Sequence, residues 1–173
     1  RSSIIVAHRR FGKTVFALNQ LIKDVLTCKL PSPRCHYVAP FFSQAKKVGW
    51  DYLKRFTAPI EGMKYNESEL RADFPNGGRI QLLGADNAAS HRGIYSDSLV
   101  LDEVAQMSAS VFPEVFRPAL ADRQGKAMFI GTPYGMANTF RDYWDQAQAD
   151  PENWFSIMLP VSKTKLVAPS ELA

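Results

Sequence analysis

Cysteine is almost missing from this chain: Cys28 and Cys35 are the only two, they have no CxxC partners, and they flank a helix-to-strand connection. Two isolated thiols argue against a disulfide framework, a zinc site or redox chemistry, and they suit an intracellular protein. Long apolar runs are missing as well. No stretch approaches ~18 consecutive apolar residues, and no charged-then-apolar leader ending in small residues opens the chain, so neither a membrane span nor a signal peptide is expected. Internal repeats and low-complexity tracts are absent. His8, His36 and His91 are scattered without ligand-like spacing, so each is expected in the core or on the surface and not on a metal. Acidic residues are scarce at the front, where residues 1–60 hold eleven Lys/Arg against two Asp/Glu. That segment is a candidate polyanion-facing surface, unless Lys46, Lys47, Lys54 and Arg55 are only the solvated face of a helix.

What is present is enough for one domain: 173 residues, 46% of them hydrophobic, suffice for a sizeable core. Ser2–Ala7 is a short β-branched run, followed by Val15, Leu18, Leu21, Ile22, Val25 and Leu26 at helical spacing. Residues 34–40 read as a second buried strand stopped by Pro40. Ser43 then caps an expected helix with Ala45, Val48, Tyr52, Leu53 and Phe56 inward. Two alternating runs flank Pro75-Asn76-Gly77-Gly78, a hairpin signal expected to decorate the sheet. Further strands are expected at 98–101, 127–133 and 154–161, with helices at 110–120 and 137–149. Strands alternating with helices predict an α/β protein whose mainly parallel sheet is covered on both faces, with ligands at the C-terminal strand edges.

Lys13, Asp102 and Thr132 each fall near such an edge, and the residues around them suggest chemistry. Ala7-His8-Arg9-Arg10-Phe11-Gly12-Lys13-Thr14 follows a strand and opens a helix, which is the context a phosphate loop requires. There the backbone N–H groups would converge on a phosphate, Lys13 would reach the β- and γ-phosphates, and the Thr14 hydroxyl would reach Mg²⁺. Ala7 departs from the glycine of the GxxxxGK[ST] pattern, and an ordinary βα junction is the alternative. In "SLVLDE" a buried strand carries two adjacent acids to its end, Asp102 to hold Mg²⁺ and Glu103 to polarise an attacking water; the alternative is a helix first turn that favours carboxylates. Thr132, after the strand "AMFI", is a candidate γ-phosphate sensor, or else part of a turn favoured by Gly131 and Pro133.

The stretches "AHRRFGKT", "YVAPFFSQAKKVGWDYL", "DFPNGGRIQLLGADNAASHRGIYSDSLVLDEVAQM" and "FIGTPYGMANTFRDYW" together resemble the ATPase domain of the large terminase subunit of tailed bacteriophages, over nearly the whole chain. The resemblance implies a RecA-like, ASCE-type P-loop fold that hydrolyses ATP to drive double-stranded DNA into a procapsid. It implies a ring of subunits docked on the portal protein, a small terminase subunit as partner, and work in the cytoplasm of an infected host cell. It also implies a role for Arg9 within the phosphate loop, coupling of hydrolysis to motion through Gly131-Thr132-Pro133, and a trans-acting finger at Arg92, which a solvated loop would otherwise explain.

Arg1 stands almost directly before the first strand, so the chain is expected to be a fragment, residues 1–173 forming a single ATPase domain. The upstream adenine-contacting segment and the downstream RNase H-like nuclease domain are expected to lie outside it. Asp142, Asp145 and Asp150 fit an exposed helix face, and no nuclease activity is expected. Two other readings stay open on the residues alone: a superfamily 2 helicase fragment, from whose Ser-Ala-Thr type motif Gly131-Thr132-Pro133 departs, and a nucleotide-binding assembly module without turnover, against which Glu103 argues.

Overall fold

A computed structural model describes residues 2–133, 135 and 138–161. Eight strands form one sheet in the order β3-β4-β5-β2-β6-β7-β1-β8. Six of them, β1 (Ser2–Ala7), β2 (Arg34–Ala39), β5 (Arg79–Gly84), β6 (Ser98–Asp102), β7 (Lys126–Gly131) and β8 (Trp154–Leu159), run parallel. β3 (Lys64–Asn66) and β4 (Arg71–Asp73) extend the sheet antiparallel beyond β5.

Side chains of successive strand residues point to opposite faces, and here both faces are buried. Ile5, Tyr37, Val100 and Ile130 pack on one side with Leu18, Leu21 and Val25 of α1 (Lys13–Thr27). Ile4, Val38, Leu99, Leu101 and Phe129 pack on the other with Phe116, Leu120 and Phe140. The second layer comprises α4 (Arg117–Ala121), the π-helical turn Phe112–Phe116 before it, and α5 (Thr139–Ala149), which Asn138 caps through Phe140 and Arg141 N–H. The resulting α/β sandwich puts the ends of β1, β6 and β7 side by side, with β7 between the other two.

Three expectations need correction: the place of the hairpin, the cap of the second helix, and the inward facing of Val48 and Tyr52. The hairpin does not decorate the sheet: β5 pairs in parallel with β2 over six positions, from Arg34↔Arg79 to Ala39↔Gly84, and only β3 and β4 lie outside the parallel array. Ser43 is not the cap of the second helix, whose first turn α2 (Phe42–Ala45) is preceded by Phe41 in extended conformation with no side-chain cap. That helix continues through a π turn, Lys46–Trp50, into α3 (Asp51–Thr57). A π turn holds more residues than an α turn and rotates everything after it about the helix axis. Gly49, Trp50, Leu53 and Thr57 therefore face the core, while Val48 and Tyr52 are exposed. The expected helix start at Ala137 lies outside the described residues.

Candidate functional site

The loop between β1 and α1 carries two left-handed residues, Arg10 (φ 61°) and Gly12 (φ 86°). Glycine takes this conformation freely and arginine at a cost, and the result is a tight turn that delivers the chain to the first residue of α1. Ala7, where the phosphate-loop pattern has glycine, is the last residue of β1, pairs with Leu159 and is buried. Its backbone is extended, so no glycine is needed there for conformation. Phe11 steadies the loop from within, its ring edge-to-face with that of His8 at 5.5 Å.

Lys13 turns back over the loop. Its Nζ donates to the carbonyls of Ala7 (3.1 Å) and His8 (3.0 Å) and to Thr132 Oγ1 (3.1 Å). Burial pushes the Lys13 amine below its ordinary pKa, with the Glu103 and Asp102 carboxylates opposing the shift and Arg9 adding to it. Thr132, just past β7, donates its hydroxyl to Glu103 Oε1 (3.2 Å) and its N–H to Oε2 (3.4 Å). Thr132 thus bridges the lysine of one strand end and the carboxylate of another. Glu103 reaches sideways because its backbone is left-handed (φ 52°, ψ 48°), breaking off β6 immediately after Asp102.

Asp102 is buried at the end of β6. Its Oδ2 accepts from Thr14 Oγ1 at 3.3 Å and from the Tyr37 hydroxyl, while Oδ1 is buried without a hydrogen-bond partner. Burial holds this carboxyl above its ordinary range, the Tyr37 hydrogen bond lowering it and Glu103 raising it. A buried carboxylate oxygen without a partner is costly and rare in folded proteins. Beside the Thr14 hydroxyl it is a fitting ligand for a hard divalent cation. No group of three or more His, Cys, Asp or Glu suited to a metal occurs among the described residues. Mg²⁺ suits such a sparse set, because it keeps waters and shares one or two protein oxygens with substrate phosphates.

These side chains line a cavity of about 360 Å³, bounded by Arg9 to Val15, Tyr52, Asp102, Glu103 and Thr132. A second cavity of about 370 Å³ adjoins it past Arg9, Glu103 and Thr132, and adds Gln44, Gln106 and Pro133. Nearly all the site residues expected from sequence therefore meet at one place, with three differences. Ala7 and His8 stand behind the loop and contribute carbonyls to Lys13. Gly131 supports from below, packed so closely on the Phe140 ring that an added Cβ would come within 3.1 Å of it. Arg92 lies elsewhere: 64% exposed, 3.6 Å from Glu114, it borders a separate groove with Gly93 and Ile94. Sequence reasoning missed Tyr37 and assigned Tyr52 to the core. A tyrosine amid an apolar strand is itself a signal, since a buried hydroxyl needs an acceptor.

Comparison with known proteins places this geometry. Residues 4–169 match the family described as terminase large subunit, T4likevirus-type, N-terminal. The large terminase subunit of Escherichia phage T5 is 29% identical over 154 residues, covering 86% of this chain and 34% of that protein. The chain thus spans about a third of that relative's length. Among solved structures, the large terminase ATPase domain of Thermus phage P74-26 superposes with a TM-score of 0.73 at 20% identity, over 91% of this chain and 75% of that one. The large terminase of another thermophilic bacteriophage, in complex with ATP-γ-S, gives 0.78 at 17% identity, over 98% and 42%. The fold of these domains is RecA-like, and this chain shares it, with β7 inserted between β1 and β6 in its sheet. With the family model matching nearly end to end, the chain belongs to the T4-like large terminase subunits, as their N-terminal domain.

Proposed function

We propose that this chain is a Mg²⁺-dependent ATPase that powers translocation of double-stranded viral DNA. The carrying observation is the convergence, in one cavity, of Lys13, the Thr14 hydroxyl, the unpartnered Oδ1 of Asp102, and Glu103 with Thr132. The thermophilic-phage terminase solved with ATP-γ-S supports the choice of nucleotide. Membership of the terminase family favours this reading over a helicase fragment or an assembly module.

In this scheme the loop N–H groups and Lys13 bind the β- and γ-phosphates, Lys13 exchanging its carbonyl partners for phosphate oxygens. Thr14 and Asp102 hold Mg²⁺, which when bound offsets the charge of the triphosphate. Glu103 orients a water molecule on the γ-phosphorus and takes its proton as the bond to the leaving ADP breaks. Arg9, exposed at the cavity mouth, neutralises charge on the equatorial oxygens, and Arg92 acts on a neighbouring subunit's site. Thr132 loses its tie to Lys13 when a γ-phosphate draws that lysine away, and through Gly131 and Pro133 this change reaches the segment leading to α5. The working assembly is a ring of such subunits on the portal protein, served by the small terminase subunit, in the cytoplasm of the infected cell. No described helix is long and apolar enough to cross a membrane.

Glu103→Gln separates binding from chemistry. The variant keeps the side chain's size and most of its hydrogen bonding but loses the proton acceptor. Nucleotide affinity is expected to persist while multiple-turnover phosphate release falls by at least ~10²-fold. Equal turnover in variant and parent moves the role of base to another residue.

A further inference from the structure

One wall of the cavity comes from neither the phosphate loop nor the acidic strand. Past Thr14 the lining continues to Val15 and then to Tyr52, which reaches it from α3. Tyr52 is 37% exposed, and its ring stacks with that of Phe56, one turn on, at 5.6 Å between centroids and 20° between planes. The Arg55 guanidinium lies 5.0 Å from the centre of the Tyr52 ring and 5.3 Å from that of Phe56. Arg55 makes no ion pair among the described residues, whereas Lys54 beside it is taken up by Glu67 (2.9 Å) and Asp51 (3.5 Å). The π turn Lys46–Trp50 sets up this wall, since it sends Trp50 and Leu53 into the core and leaves Tyr52 outside.

The adjoining cavity shares Arg9, Glu103 and Thr132 with the first, whereas Tyr52 and Val15 line the first alone. With its phosphates on Lys13 and Thr14 and its terminal phosphate at Glu103, a nucleoside triphosphate has the wall of Val15 and Tyr52 left for its sugar and base. We propose that Tyr52, backed by Phe56 and flanked by the Arg55 guanidinium, is the stacking wall for the nucleobase. The assignment rests on the phosphate-loop reading of Gly12-Lys13-Thr14. Stacking on an aromatic ring and a guanidinium uses the π-face that every base has, so it adds affinity with little choice among bases.

The test compares a triphosphate without a nucleoside and one with it, inorganic tripolyphosphate and the non-hydrolysable ATP analogue AMP-PNP, each titrated with Mg²⁺ into the whole chain by calorimetry. Tyr52→Ala is expected to weaken AMP-PNP binding about tenfold or more, the scale of one lost base stack, and to leave tripolyphosphate binding unchanged. Tyr52→Trp, which keeps a stacking face, is expected to retain AMP-PNP affinity. Unchanged AMP-PNP affinity in Tyr52→Ala overturns the base assignment alone, and so does an equal loss for both ligands. A parent chain that binds neither ligand overturns the phosphate-loop reading together with it.

Discussion

Thr132 joins two charged groups that the sequence keeps far apart, and the proposed coupling of the site rests on this small contact. Lys13 and Glu103 share one hydroxyl between them, so a ligand that moves either side chain must disturb the other. The charged members of this set were legible in the sequence because each belongs to a short motif whose spacing is set by backbone geometry: lysine after the glycine that closes a turn, paired acids after a buried strand. Tyr37 and Tyr52 were not, because the Asp102 carboxylate and the cavity meet them only through tertiary placement. His36 is a second buried group with a measurable consequence. It sits in β2 with Nδ1 2.9 Å from Ser96 Oγ. Burial, and then the nearby charges of His91, Arg34 and Arg79, depress its pKa from 6.5 to about 3. The unfolded chain therefore binds a proton that the folded one refuses, and the stability His36 contributes is intact above about pH 6.5 and drains away as the pH falls toward about 3. Denaturant titrations across that window should show a steeper loss in the parent than in His36→Gln, by up to one proton, or about 1.4 kcal/mol per pH unit. Parallel curves contradict the burial of a neutral imidazole.

α1 owes its position to clamps at both ends. Thr14 meets Asp102 where β6 finishes, and Asp24, ten residues on along α1, accepts from Ser98 Oγ (2.6 Å) where β6 starts and from Lys126 Nζ (2.7 Å) where β7 starts. Helix and strand thus lie antiparallel with fixed register, and the loop residues face the acidic pair. β1, β2, β6, β7 and α1 were all legible as elements, since strands buried on both faces read as short apolar runs and α1 as a clear helical stripe. The second helix was legible in extent but only partly in facing: Ala45, Leu53 and Phe56 turn inward as expected, whereas Val48 and Tyr52 are exposed, because a π turn leaves no mark on a periodicity of 3.6 and shifts the buried stripe to Gly49, Trp50 and Thr57. The hairpin was legible as a turn, but whether its second strand lies in the sheet or on it depends on pairing with β2, which is non-local. That pairing is tight at its end: a Cβ on Gly84 would come within 2.8 Å of Phe42 Cα and would also strike the Phe42 N and Asp86 Oδ1. Gly84→Ala is accordingly expected to cost about 1–3 kcal/mol by displacing the start of α2, measured by urea unfolding. A stability equal to the parent's contradicts the close approach of β5 to that helix.

The molecule as a whole gathers most of the proposed nucleotide site in one cavity and keeps Arg92 on a separate groove. Arg92 is expected to serve a neighbouring copy, so specific ATPase activity should rise with protein concentration. Arg92→Ala should bind ATP normally and hydrolyse it poorly, and mixing it with Glu103→Gln should restore part of the activity wherever an intact base meets an intact arginine across an interface. Fingers of this kind contribute ~10³–10⁵ in rate in GTPases. Activity that is independent of concentration, with no recovery on mixing, assigns the catalytic arginine to Arg9 in the same subunit. The expectation of such a relation between subunits comes from the family resemblance and from no residue pattern, because a single sequence encodes no record of which surfaces meet. Everything proposed for the motor depends first on nucleotide entering the cavity above Lys13. The most direct measurement is a calorimetric titration of Mg²⁺-ATP-γ-S into the parent chain and into Lys13→Ala. Saturable binding to the parent and its loss in the variant are expected, and equal affinity in the two contradicts the phosphate-loop assignment.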